Sequence, residues 1–132
     1  MAYATRTELE DRYGAAEVEQ RESMLPAGAV DRALADADAE VDSYLTGRYA
    51  LPLSPVPGNI ARLAAAIARY RLLGDAVTEI ARKDYEDARA WLRDVAAGRV
   101  QIEGATPIAA AAPAATVDYV VGRDKAFTGG LQ

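Results

Sequence analysis

Three prolines within six residues, Pro52, Pro55 and Pro57, divide this chain into two helical halves that must pack on one another. Proline fixes φ, lacks an N–H and pushes the preceding residue out of the helical region, so no helix runs through this stretch. Leu51, Leu53 and Val56 are apolar enough to pin it down, which predicts an extended, ordered strap crossing a bundle, not a floppy linker.

Before the strap, residues 27–46 place Val30, Ala33, Leu34, Ala37, Val41, Tyr44 and Leu45 at helical spacing, with Gly47 as the stop. Burying Leu34 and Val41 contributes roughly 1.5–3 kcal/mol each, enough to hold such a helix on its neighbours. Residues 5–14 open with a capping box, Thr5 answering Glu8, and close on Gly14. Residues 15–23 predict a second short helix anchored by Val18, followed by an apolar turn at Met24-Leu25-Pro26. Helices this short are marginal alone and depend on docking.

After the strap, residues 58–74 predict a helix with Ile60, Leu63, Ala64, Ile67, Tyr70 and Leu73 facing inward. Another, capped by Asp75 or Thr78, runs through Ile80, Ala81, Tyr85, Ala88, Trp91, Leu92 and Val95 to Gly98. Trp91 is expected to plug the core, with an indole N–H that needs a partner. Val100-Gln101-Ile102 alternates like a short strand. The fold class is therefore mainly α: a small bundle of about four to five helices, with a proline-rich strap and possible short strands. The helical domain is placed at residues 1–103 and an extended C-terminal arm at 104–132.

That arm is unlike a domain. Residues 104–116 are mostly alanine and proline without charge, and Val117, Tyr119, Val121 and Phe127 are the main apolar positions beyond. Such a segment cannot build a core by itself, and the expectation is an intersubunit arm that becomes ordered by wrapping a neighbouring copy, with docking back on its own bundle as the alternative.

Composition excludes much chemistry. The chain has no cysteine and no histidine, which removes disulfides, the usual zinc sites, imidazole acid–base catalysis and thiol nucleophiles. No glycine-rich phosphate loop or nucleophile–base pair stands out, so no enzyme, cofactor or metal is expected. No apolar run approaches the roughly 18 residues of a membrane span, and the start lacks a signal-peptide pattern, which predicts a protein made in and kept in the cytoplasm.

Charge is uneven. Residues 1–47 carry eleven acids against four bases, and residues 48–132 nine against eleven. This lopsidedness suits head-to-tail packing of copies, the interface type that closes rings. Asp31, Asp36, Asp38, Glu40 and Asp42 lack the spacing and glycine of a calcium loop and predict a solvated or partner-facing acidic surface. Arg62, Arg69, Arg71, Arg82, Arg89 and Arg93 are interleaved with acids, and pairs such as Glu79 with Lys83 or Glu86 with Arg89 are in reach. Direct DNA binding by that surface is not expected.

Several stretches together resemble the Mu-like bacteriophage neck proteins. They are residues 3–14, opening Tyr3-Ala4-Thr5-Arg6-Thr7-Glu8-Leu9, then Ala37 with the run Asp38-Ala39-Glu40-Val41-Asp42-Ser43-Tyr44-Leu45-Thr46-Gly47-Arg48-Tyr49-Ala50-Leu51-Pro52-Leu53. Ile67-Ala68-Arg69-Tyr70-Arg71-Leu72 and Tyr85-Glu86-Asp87-Ala88-Arg89-Ala90-Trp91-Leu92 complete them, so the resemblance spans most of residues 3–103. That family is similar to the helical adaptors of long-tailed phages. The resemblance implies a head–tail connector in the virion neck: a ring of about twelve copies below the portal that extends the DNA channel. Its implied partners are other copies of the chain, the portal protein, the next neck or tail protein, and DNA passing without sequence-specific contact. A monomeric or dimeric helical binding module, such as a phage assembly chaperone or regulator, accounts for bundle and arm as well.

Overall fold

A computed structural model describes residues 2–108, so the expectations for Val117, Tyr119, Val121 and Phe127 lie outside the described residues. The elements in chain order are α1 (Arg6–Tyr13), α2 (Ala15–Ser23), α3 (Ala29–Leu45), α4 (Gly58–Leu73), a single 3-10 turn (Gly74–Ala76) and α5 (Glu79–Ala96). The mainly helical fold class and the helix order agree with the sequence reading.

Helix α4 is the centre because its middle is buried on every side. Every residue from Leu63 to Ala68 is buried, and four of the six are alanine. Small side chains let α3 pack closely along one side of α4 and α5 along another, with α3 and α5 also touching. Ile60 and Ile67 from α4, Val41 and Leu45 from α3, and Leu92 and Val95 from α5 are all fully enclosed in this core.

Helices α1 and α2 form a hairpin laid against that trio, touching both α3 and α4. Thr5 caps α1 by accepting from the Glu8 backbone N–H at 3.2 Å, one half of the expected capping box. Gly14 makes the corner at φ +97°, a conformation that L side chains rarely adopt, so one residue joins the two helices. Thr78, not Asp75, caps α5, accepting from Ala81 N–H at 3.1 Å.

The strap is ordered, as the prolines predict, and two tyrosines hold it. The buried Tyr3 hydroxyl accepts from Leu53 N–H at 3.1 Å, and the buried Tyr49 hydroxyl accepts from Ile102 N–H at 2.9 Å. Residues 105–108 then run back beside the start of the strap, with Ala50 N–H donating to Thr106 and Ile108 N–H to Arg48. These first residues of the expected arm therefore pack on their own bundle.

Four expectations change. Trp91 is only partly buried and stands at the surface instead of plugging the core; Leu92 and Val95 fill that place. Ile80, assigned to the inward stripe, is 70% exposed because it sits in the first turn of α5, beyond the end of the facing helix α4. Tyr70, also assigned to an inward face, is only partly buried. Val100-Gln101-Ile102 forms no strand, and among the described residues the single strand-like pairing is an isolated bridge between Tyr49 and Pro107. Ile102 is buried there because Tyr49 satisfies its backbone.

Candidate interaction site

The five acids of α3 do not form one surface. Asp38 and Asp42 lie one turn apart and both face the N-terminal segment: Asp38 accepts from Tyr3 N–H at 2.9 Å and Asp42 from the Tyr3 hydroxyl. Burial pushes the Asp38 carboxyl above its usual value, against the opposing pull of its hydrogen bond from Tyr3. Burial, reinforced by the bond to Asp42, pushes the Tyr3 hydroxyl up to about 12.

Glu40 faces a different side, toward α4 and α5. It accepts from the Arg71 guanidinium at 2.6 Å and from the Tyr85 hydroxyl at 3.0 Å. Its side chain is 12% exposed, so this pair is shielded on the carboxylate side. The Glu40 bond holds the Arg71 guanidinium above its ordinary value, while burial is the first cause raising Tyr85. Tyr85 also stacks on Tyr70 with ring centroids 4.0 Å apart, tying α5 to α4. Asp31 and Asp36 are the two acids of the five that remain exposed.

The arginines of α4 and α5 behave differently from the expected local pairs. Arg69 forks onto Glu17 of α2 with two contacts of 2.9 Å and lies over the Tyr13 ring at 4.3 Å. Lys83 approaches Asp87 at 3.7 Å instead of Glu79, and Arg89 lies over the Tyr85 ring instead of pairing with Glu86. Among the described residues, Arg69 and Arg71 thus spend their charge on acids from the first half of the chain. The lopsided charge of the sequence is partly cancelled inside the fold, a result that no periodicity along one helix signals.

A cleft of about 630 Å³ opens between the end of α1, α4 and α5. Its floor is Leu63, Ala66 and Ala88, and its rim carries Arg12 and Arg62 together with Asp84 and Asp87. Trp91 and Asn59 close one end, and the same two residues border a second cleft of about 480 Å³ that runs along residues 101–104. Trp91 is therefore a ledge between two adjoining hollows. Sequence reasoning missed this site because it sent Trp91 inward. No group of three or more acidic, histidine or cysteine side chains is placed to hold a metal among the described residues. No described helix is long and apolar enough to cross a membrane.

What fold and surface define is a small helical bundle built on one alanine-rich central helix, with a grooved face of mixed charge. The chain belongs to the family described as Bacteriophage Mu, Gp36, which matches residues 3–120. It is 41% identical over 105 residues to the Mu-like prophage FluMu protein gp36 of Haemophilus influenzae, covering 76% of this chain and 74% of that protein. It is also 38% identical over 69 residues to gene product J of Escherichia phage Mu, covering 52% of this chain and 49% of that one. Membership makes it a phage protein of the structural and assembly class. The family match extends 17 residues beyond residue 103, where the resemblance read from the sequence stopped, and so takes in Val117 and Tyr119.

Proposed function

We propose that this chain is a non-catalytic head–tail connector subunit of a Mu-like phage, which forms a ring below the portal, extends the DNA channel and presents a surface to the next neck or tail protein. The supporting observation is a family match that runs through the whole helical bundle and on to residue 120. A compact bundle with preformed helical faces suits a ring, since each copy then offers its neighbour a fixed surface. In this reading Asp31 and Asp36, exposed on α3, are the acids available to a channel wall, where negative charge repels passing DNA. Asp38, Glu40 and Asp42 hold the bundle together.

A second reading is an assembly chaperone or regulator acting as a monomer or dimer. What favours it is that the described residues build one continuous apolar core within a single chain, which a self-sufficient monomer requires. Imaging purified particles at a resolution that shows the neck separates the two. Density for this bundle as a ring between portal and tail is the expected result. Absence of the chain from mature particles would transfer the assignment to a chaperone that departs before completion.

A further inference from the structure

We infer that the Trp91 groove receives residues 117–121 of a neighbouring copy of this chain. The inference rests on the ring reading and adds what each subunit does with its neighbour's extension.

The groove has the make-up of a strand-receiving site. Its floor is apolar, its rim carries both signs of charge, and a second hollow adjoins it across Trp91 and Asn59, the two side by side making a furrow with Trp91 at its middle. No described residue accepts from the Trp91 indole N–H. A partly exposed indole at the centre of a furrow, with an apolar body and an unused donor, is the side chain most often found anchoring an interface.

The occupant follows from where the chain goes. The described residues end at Ile108, beside Tyr49, whose hydroxyl also binds the backbone of Ile102 on the edge of the furrow. From there the sequence offers an uncharged alanine spacer and then Val117-Asp118-Tyr119-Val120-Val121, followed by Arg123, Asp124 and Lys125. Alternating apolar side chains with charges of both signs match an apolar floor between Arg12 and Arg62 on one hand and Asp84 and Asp87 on the other. The family match reaches residue 120 and so takes in Val117 to Val120 of this run.

The choice of a neighbour's groove follows from the spacer. Eight residues lie between Ile108 and Val117, and the steps across them reach about 30 Å at full extension. Beyond the residues that pack on the bundle, positions 109–116 contain Pro113 and no glycine, a composition that favours extension over a tight reversal.

The chain has no native cysteine, so a disulfide test is clean. The full chain carrying both Asp87→Cys in the groove and Tyr119→Cys in the run replaces the native one in particles, which are oxidised and resolved on non-reducing gels. A second pair, Asp84→Cys with Val121→Cys, guards against one pair disturbing assembly. The expected result is a ladder of covalent oligomers of several chains, with each single-cysteine variant giving nothing beyond a dimer. A cross-linked single chain instead of a ladder assigns the run to its own groove and overturns the inference. Particles that show the ring by imaging but yield no cross-link overturn it and leave the ring intact. Particles without the chain overturn the ring reading and this inference together.

Discussion

The α3–α4–α5 trio and the α1–α2 hairpin are held by different physics within one small chain. The trio is dry: the middle of α4 is alanine and aliphatic on every side, and its partners add Leu45, Leu92 and Val95. Each helix of the hairpin buries a single residue, Leu9 in α1 and Val18 in α2. What it lacks in apolar area it replaces with charge-assisted bonds, Arg6 to Glu22 between the two helices, Arg69 to Glu17 and Arg21 to the Leu72 carbonyl across to α4. The difference teaches where rigidity ends: the trio sets global stability, and the hairpin is the part that opens locally first.

The largest effect is expected in the trio. Ile67→Ala removes a fully enclosed side chain between packed helices and should lower unfolding free energy by about 3 kcal/mol in a denaturant titration. A loss below about 1 kcal/mol would mean that α4 is not the rigid centre.

Next is Tyr3, which ties the N-terminal segment to α3 and the strap. Tyr3→Phe leaves the Leu53 N–H and the Asp42 carboxylate each without a partner and should cost about 2 kcal/mol. Its titration gives a sharper signature. The hydroxyl is raised from 10 to about 12 in the fold, so the folded state holds this proton more tightly than the unfolded one. That stability is fully present below pH 10 and is lost as pH rises from 10 toward 12. Tyr3→Phe should therefore flatten the alkaline limb of stability against pH, and an unchanged limb would assign the slope to other tyrosines.

Much of the trio was legible in the sequence because its helices are long enough to show their period. Val30, Ala33, Leu34, Ala37, Val41 and Leu45 are buried where 3-4 spacing put them. The strap was legible because proline acts locally. What failed were choices between two neighbouring faces. Trp91 and Leu92 are adjacent in sequence, and hydrophobicity alone ranks the indole as the better core residue, yet Leu92 fits the space beside α4. The acids of α3 were legible as acids but not by role: Asp38, Glu40 and Asp42 are assigned by residues that arrive from 35, 31 and 39 positions away. Partners at such separations leave no periodic trace, so the hairpin's ion pairs and the groove at Trp91 emerge only with the fold.

The hairpin supplies the third test. Arg69→Ala removes the fork to Glu17 and the contact with the Tyr13 ring, both partly screened by solvent, and should cost about 1 kcal/mol. The location of the effect matters more than its size: amide exchange should quicken in α1 and α2 while α3 to α5 stay protected. Uniform acceleration would erase the contrast between the two regions.

The smallest stability effect is expected from the acids that the fold leaves free. Replacing Asp31 and Asp36 together with lysine breaks no described ion pair, and losing Asp31 from the first turn of α3 and the attraction of Asp36 for Arg71 should cost only about 0.5 kcal/mol. That neutrality makes the pair informative about the channel, because Asp38, Glu40 and Asp42 cannot be reversed without undoing the Tyr3, Arg71 and Tyr85 contacts. If α3 faces the conduit, two lysines per subunit, multiplied around a ring, place a belt of positive charge against the phosphate backbone. DNA ejection from assembled particles should then slow, and the slowing should relax as salt screens the attraction. Normal ejection from particles with an intact neck would show that α3 faces away from the DNA and that its exposed acids serve a protein partner or the solvent.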